Sequence, residues 1–412
     1  MHLQTTGFVS TQAGSVASAN SVILAGLLGR GHRVTFYTKP SFVDPRMDIR
    51  EPSLTERLNV VDCTNQRTDA LWRTWGGKGM GLSRTLLGRM NAWAYNRGLV
   101  RAMGIASDGD VDLWLGDWAH GRARRPVISF VQGPPGTDAE SIAKHRELIE
   151  RLAGKVAYCK LRAYALWRLS FGLPPFHFSD AVIVGSEWSR RRLIARFGLS
   201  PGRVHAVPYP IDLQAFAPPK GRRSPSGRLR LLWLGRFVPR KRLDLMLAGL
   251  EAAIRDGCDV ELWVVGQSGF VPNYERLLDK FRYSDRIKHW GYLSRETVPD
   301  IIHDVDVMVQ PSDDENFGSS VAEALACGVA SIVGATNGTG DYVCERSIRL
   351  DDDQPQTLAR AIMEMSQRKK LGLLEDPAPS RAAAEANFSP KSVCLRLEAI
   401  LKLTAESTLD RP

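Results

Sequence analysis

The chain has 412 residues, 43% of them apolar and 24% charged, with a formal net charge of +10, a length and apolar share that suit two or more domains with large cores. No apolar run approaches the roughly 18–20 residues of a membrane span, and the opening MHLQTTGFVS lacks the basic start and apolar core of a secretory signal. Six cysteines (Cys63, Cys159, Cys258, Cys327, Cys344, Cys394) are scattered without a CxxC pair, which fits reduced thiols in a cytoplasmic protein and indicates neither a zinc site nor a disulfide framework.

Residues 5–38 read as a small-residue loop (Thr11 to Ser18), a helix carrying Val22, Ile23, Leu27 and Leu28, and a strand from His32 to Tyr37. Loop, helix and strand make half of a βαβ unit. Gly14, between Ala13 and Ser15, lets a ligand approach the backbone closely; ordinary turn chemistry is the plain alternative. Residues 58–63 and 112–116 read as further strands. Between them, Gly76, Gly77, Gly79 and Gly81 suggest a mobile loop. The helix that follows combines Arg84, Arg89, Arg97 and Arg101 with Leu86, Leu87, Met90, Trp93 and Leu99. A second basic amphipathic segment, Arg151 to Phe171, sets Lys155, Lys160, Arg162 and Arg168 beside Leu161, Tyr164, Leu166 and Trp167. Residues 1–216 also carry essentially the whole positive excess. The asymmetry points to an anionic partner: nucleic acid, an anionic membrane surface or an acidic substrate. Surface helices with a solvated basic face are the commoner alternative. No recognisable RNA- or DNA-binding module accompanies the charge, so nucleic acid is the weakest of the three.

Pro126 to Asp138 reads as a strand followed by a polar loop. In a doubly wound sheet such loops line the cleft, which makes Gln132, Gly133 and Asp138 candidate ligand contacts. A strand, a helix capped by Ser186 or Ser189, a loop and a strand close a first domain, residues 1–212. Residues 213–228 have a Pro/Gly/Arg-rich linker composition. A second α/β series fills residues 229–385: strand LRLLWLG, helix Arg242–Asp256, strand DVELWVVG, helix Tyr274–Tyr283, strand IKHWGY, helix Thr297–His303, strand Val305–Gln310, and then SIVGA and SIRL. Helices from Pro355 to Thr404 end the chain, the part from 386 to 412 turning back toward the first domain. Strands alternating with helices imply parallel sheets, and two such halves imply a ligand cleft between domains.

Two stretches carry chemistry. In PSDDENFGSSVAEALACG (Pro311 to Gly328) a strand end turns at Gly318 into a helix opened by Ser319 and Ser320. A helix start attracts anions, yet Glu315 and Glu323 flank this one. Carboxylates there suit a phosphate that carries sugars, because each accepts two hydroxyl hydrogen bonds. The plain alternatives are a capping box between Ser320 and Glu323 and a solvated loop acid at Glu315. In LGRFVPRKRLD, Arg236 and Lys241 follow a strand and suit a diphosphate. The stretch lacks the P-loop pattern, and its four basic residues (Arg236, Arg240, Lys241, Arg242) also fit a solubilising loop. Asp304-Val305-Asp306 mimics a metal-binding DxD but opens an apolar strand, and reads as structural.

LGRFVPRKRLDLMLAGL, GYLSRETVPDIIHDVDVMVQPS and ENFGSSVAEALACGVASI resemble the nucleotide-sugar half of a retaining glycosyltransferase of family 4, of the group 1 type, with the GT-B fold. SDAVIVGSEWSRRRLIARFGL and VPYPIDLQAF resemble its first half. The resemblance implies two Rossmann-like doubly wound domains facing each other across a cleft. It implies that Arg236 and Lys241 hold the donor diphosphate and that Glu315 contacts donor-sugar hydroxyls, these three carrying catalysis. It further implies that Gly14, Gly235, Phe317, Gly318, Ser319 and Ser320 approach the donor, and that Glu323 accepts from the ribose. Many members have a histidine where this chain has Gln132; His120 is a candidate substitute, and His120, Gln132 and Asp138 stand on the acceptor side. The family's usual Asn-Gly before the domain crossover reads Tyr209-Pro210. The implied chemistry needs no cofactor and no metal, only a nucleotide diphosphate sugar as co-substrate and an acceptor hydroxyl, of a lipid-linked or a soluble molecule. A nucleotide-sugar epimerase, a glucan synthase and a non-catalytic nucleotide-sugar-binding protein are the alternatives.

Overall fold

Short β-branched and leucine-rich runs build two all-parallel sheets, whose central strands are buried on both faces. The computed structural model describes residues 1–7, 9, 15–38, 45, 49, 51–64, 82–105, 108–116, 119–122, 125–169, 176–219 and 227–409. In the first sheet, β1 (His2–Gly7), β2 (Arg33–Thr38), β3 (Leu58–Asp62), β4 (Val111–Leu115), β5 (Val127–Phe130), β6 (Ala181–Val184) and β7 (Val204–Ala206) stand in the order β3-β2-β1-β4-β5-β6-β7. In the second, β8 (Leu229–Leu234), β9 (Val260–Val265), β10 (Ile287–Gly291), β11 (Val307–Gln310), β12 (Ala330–Val333) and β13 (Ile348–Arg349) stand in the order β10-β9-β8-β11-β12-β13. Both are doubly wound. Their strand order reverses between β1 and β4 and between β8 and β11, and such reversals open crevices at the strands' carboxyl ends. The loops after β8 and β11, which hold Arg236, Lys241 and Glu315, are therefore neighbours.

The main helices are α1 (Ser15–Gly29), α2 (Leu82–Ile105), α3 (Thr137–Lys144), α4 (Arg146–Ala153), α5 (Lys155–Leu169), α6 (Glu187–Phe197), α7 (Leu243–Arg255), α8 (Val298–His303), α9 (Ser319–Ala326), α10 (Pro355–Lys370), α11 (Ala378–Phe388) and α12 (Pro390–Leu409). Several differ from expectation. The loop after β5 turns helical at Thr137, once Gly136 at φ 84° has reversed the chain. The segment Arg151–Phe171 divides at Gly154, whose φ of 87° leaves the helical region. The stretch Tyr274–Tyr283 keeps only one α-turn, Arg276–Asp279. Helix α7 starts at Leu243 because Arg242 sits at φ 53°, in the left-handed region. Ser186, not Ser189, caps α6, accepting the Ser189 N–H at 3.1 Å.

One continuous core runs through both domains, from Leu3, Ile23 and Phe36 to Phe317, Val321 and Phe388. Helix α12 crosses back onto α1. Gly26 makes this approach feasible, since a Cβ there would collide with the Cys394 thiol. Across the same contact Arg30 Nε donates to Glu398 at 2.7 Å. The described part of the linker is fastened down: the Arg381 guanidinium donates to the carbonyls of Leu213, Phe216 and Ala326 at 3.1, 2.8 and 2.9 Å.

Candidate functional site

The two sheets' crevices face each other, and between them lies a cavity of about 480 Å³. The first domain contributes the backbone and side chains of residues 132–139 and part of α5. The second contributes Arg236, Arg240, Phe270, Asp314, Glu315 and Asn316.

At its charged end two cations meet one carboxylate, with a third cation beside them. Lys241 Nζ lies 2.6 Å and Arg240 Nη1 2.7 Å from the same oxygen of Glu315. Glu315 is 7% exposed. Burial pushes its carboxyl up, but Arg240 and Lys241 outweigh burial and hold it below the usual carboxylate range. Burial and the neighbouring Arg240 lower the Lys241 ammonium, with Glu315 pulling it back. Arg236 is exposed at the cavity wall with no ion-pair partner among the described residues. Arg236, Arg240 and Lys241 thus gather around the single buried carboxylate of Glu315. Asp138, at the rim, stands 3.6 Å from Arg240. Sequence reasoning weighed Arg240 only as part of a solubilising loop. Its signal was there in the spacing: Pro239, Arg240 and Lys241 form a 3₁₀ turn that turns both cations toward the loop after β11.

Glu323, 4% exposed, is not a helix cap. The N-cap position of α9 is Gly318, without a side-chain bond, and Ser320 Oγ donates instead to Gln310 Oε1 at 2.8 Å. Glu323 faces Arg295 at 2.9 Å, and burial raises its carboxyl against that pull. The expected cradle of amides from Phe317 to Ser320 is partly occupied. The Gly318 N–H donates to Thr339 Oγ1 at 2.7 Å and that of Ser319 to the Phe317 carbonyl at 3.1 Å. The Phe317 ring packs among Tyr209, Tyr342 and Phe388, 4.8, 6.4 and 5.4 Å away, so its side chain works as domain packing rather than as a ligand contact. Gly235 ends β8, its carbonyl so close that only a glycine fits at Gly266.

On the first-domain side, Gln132 lines the cavity and donates through Nε2 to Asn20 at 2.6 Å. Its Oε1 is buried without a hydrogen-bond partner among the described residues. His120 does not reach the cleft: it is exposed, edge-on to Trp114 at 5.6 Å, and is absent from the cavity lining. Gly14 and the loop around it lie outside the described residues, as do Gly76 to Gly81. Asp306 of the DxD-like stretch accepts from the Arg230 N–H at 2.8 Å and pairs with Lys369 at 2.6 Å.

Residues the sequence did not single out hold the domains together beside the cavity. Asn316, 5% exposed, accepts from the Gly185 N–H at 3.1 Å and donates to the Val131 carbonyl at 3.3 Å. Behind it, His145 Nε2 donates to Asp313 at 2.9 Å, and Lys144 pairs with the same carboxylate at 3.1 Å. Arg242 binds Asp313 at 3.2 Å and Asp353 at 3.1 Å from the second-domain side. Burial pushes the Asp313 carboxyl up, but His145, Arg242 and Lys144 together hold it below its ordinary value. This cluster clasps the end of α3 to the loop that carries Glu315.

Comparison with known proteins places this geometry. Residues 219–377 match the family model for glycosyl transferases group 1. The D-inositol 3-phosphate glycosyltransferase of Kineococcus radiotolerans is 28% identical over 258 residues, 56% of each chain. A phosphatidylinositol N-acetylglucosaminyltransferase component of Arabidopsis thaliana is 24% identical over 238 residues, 56% of this chain and 52% of that protein. The chain thus matches about half the length of these curated relatives. Among solved structures, the sucrose-phosphate synthase of Thermosynechococcus elongatus superposes with a TM-score of 0.68 at 17% identity, covering 98% of this chain and 99% of that one. Anabaena HepE, crystallised with UDP and glucose, superposes with a TM-score of 0.60 at 14% identity, covering 98% and 100%. Residues 219–377 thus match the group 1 glycosyl transferase family, within a chain that has the GT-B fold throughout.

Proposed function

We propose that this protein is a retaining glycosyltransferase that moves a sugar from a nucleotide diphosphate sugar to an acceptor hydroxyl without a metal ion. The observation that carries the reading is the Arg240–Glu315–Lys241 cluster at the cleft, with Arg236 beside it. Its cations suit the negative charge of a sugar diphosphate linkage. When the sugar–phosphate bond breaks, charge builds on the diphosphate, and cations already in place lower that barrier. Glu315 is ionised, so it accepts hydrogen bonds from sugar hydroxyls and does not donate a proton. The acceptor oxygen bonds to the anomeric carbon on the face the phosphate leaves, and the acceptor proton passes to a leaving-phosphate oxygen. Glu323, buried on the same helix as the donor loop, takes the ribose hydroxyls, with Arg295 holding it until then. The solved relatives that contain UDP, glucose or UDP-glucose support a donor of this kind.

An anionic membrane surface is a second part of this reading. On α2, Met90 and Trp93 are 60% and 63% exposed, and Arg97 stacks over Trp93 at 5.3 Å. Salt-sensitive pelleting with anionic vesicles tests it, and no pelleting at low salt removes it.

The decisive assay is release of nucleoside diphosphate across a panel of nucleotide sugars. Lys241→Ala is expected to lower kcat/KM by about a hundredfold or more while circular dichroism shows an intact fold. Wild-type turnover in that variant, or no turnover by the wild type with any donor, would refute the reading.

A further inference from the structure

We propose that His145 is a positioning residue for the diphosphate site: from the first domain it holds Asp313, and through Asp313 the cations and carboxylate of the donor cluster; this rests on the glycosyltransferase reading. His145 does not line the cavity. It stands between α3 and α4 and is 8% exposed. The Asp313 carboxyl is held below its ordinary value, and an ionised carboxylate only accepts, so His145 Nε2 carries the proton of their 2.9 Å bond. Asp313 is in turn joined to the cationic loop twice. Its N–H donates to the Arg240 carbonyl at 2.7 Å, and its carboxylate accepts from Arg242 Nη1 at 3.2 Å. The two loops are thereby zipped together, with Arg240 and Lys241 against Glu315 and Arg242 against Asp313. A shift of Asp313 moves Glu315, two residues on, and the backbone of Arg240 with it.

The base on which His145 stands is itself fixed. Arg162 Nη1 donates to the Ala139 carbonyl at 2.8 Å, and Glu140 pairs with Arg192 and Arg196 of α6. At the start of α3, Asp138 faces Arg240 at 3.6 Å. Helix α3 is thus tied to the first domain along its length and meets the donor loops at both of its ends. Domain packing alone does not require such a cluster, since an apolar seam is often as stable as a buried ion pair. Charged partners at hydrogen-bond reach instead fix one register of loop against helix. A displacement of about 1 Å in groups that hold reacting atoms costs roughly a hundredfold in rate, so the brace matters to the cluster although it touches no ligand.

The test uses the full chain and calorimetric binding of UDP, GDP, ADP and dTDP at a temperature where the variants are folded. Each is compared with its nucleoside, whose binding is read by displacement of the diphosphate. The diphosphate reads the cluster and the nucleoside reads the rest of the nucleotide site. His145→Ala is expected to weaken the diphosphate that the wild type binds best by about tenfold, and its nucleoside by less than about twofold. His145→Gln, which returns an N–H donor on a side chain of similar reach, should restore most of the loss. Asp313→Ala separates position from charge. It removes a negative charge near the cations, so charge alone would tighten diphosphate binding, whereas loss of the brace weakens it. Four results each overturn the proposal: unchanged diphosphate binding in His145→Ala, an equal loss for nucleoside and diphosphate, no recovery in His145→Gln, or tighter binding in Asp313→Ala. If Asp313→Ala does not fold, the His145 pair decides. The expected pattern with no nucleoside diphosphate released from any nucleotide sugar would leave the brace standing and remove the glycosyltransferase reading. A wild type that binds none of the four diphosphates overturns both.

Discussion

At the scale of single residues, Glu315 is the group on which the donor site turns. It pairs with both Arg240 and Lys241, each within 2.7 Å. A bound diphosphate must compete with it for those cations. Glu315→Gln keeps the shape and removes the charge. It leaves Lys241 without its carboxylate and Arg240 with only Asp138, 3.6 Å away, and breaking a buried pair costs about 3–5 kcal/mol. The variant should therefore melt earlier, yet its melting temperature should rise more than the wild type's on adding nucleoside diphosphate, because the competing carboxylate is gone. An equal or smaller rise would show that Glu315 does not compete for the cations. Turnover should fall by about a hundredfold, as hydroxyl contacts to the donor sugar weaken.

At the scale of elements, the site is made of loops at strand ends, and close backbone approaches set their spacing. Gly185 ends β6. A Cβ there would stand 2.7 Å from the Phe317 Cβ and 3.2 Å from the Asn316 carbonyl oxygen. Its φ lies outside the left-handed region, so Gly185→Ala acts by crowding alone. Overpacking of this kind costs about 1–3 kcal/mol, and here it falls on the seam between domains. Urea denaturation should show that loss, with weaker donor binding alongside. Gly202→Ala is the control: no atom lies within 4 Å of its Cβ, and its stability should change by less than about 0.5 kcal/mol. A similar loss in both variants would remove the steric explanation. Arg242 shows the opposite economy. A non-glycine residue at φ 53° costs about 1 kcal/mol or more, offset here by ion pairs to Asp313 and Asp353.

At the scale of the whole molecule, the clasp at Asp313 and the return of α12 are two of the fastenings between the domains. The second has a pH signature. The Arg30 hydrogen bonds, aided by Lys402, hold the Glu398 carboxyl at about 2, against its ordinary 4.5. A carboxylate depressed in the folded state contributes stability above its unfolded value and loses it as the pH falls toward its folded one. The contribution of this pair should be complete above about pH 4.5 and fade toward pH 2. Glu398→Gln should melt below the wild type at pH 7, with the gap closing on acidification; a gap independent of pH would exclude the ion pair as its source. The clasp at Asp313 is buried, so added salt should weaken it little.

The alternation of strands and helices, the doubly wound class, the loops that carry Arg236, Lys241 and Glu315, and the helix that carries Glu323 were all legible in the sequence. Each is a local property: apolar period, a glycine at a turn, or a charged residue just past a strand. What the sequence could not specify were partners. Arg240 meets Glu315 across 75 positions and His145 meets Asp313 across 168, and no local pattern marks either pair. Nor did it show that Phe317 packs between domains, that Gly318 spends its amide on Thr339, or that His120 stays outside the cleft. The sequence by itself determined which residues stand at strand ends. Only the tertiary structure decided which strand ends face one another, because that depends on strand order and on two sheets closing over one cavity.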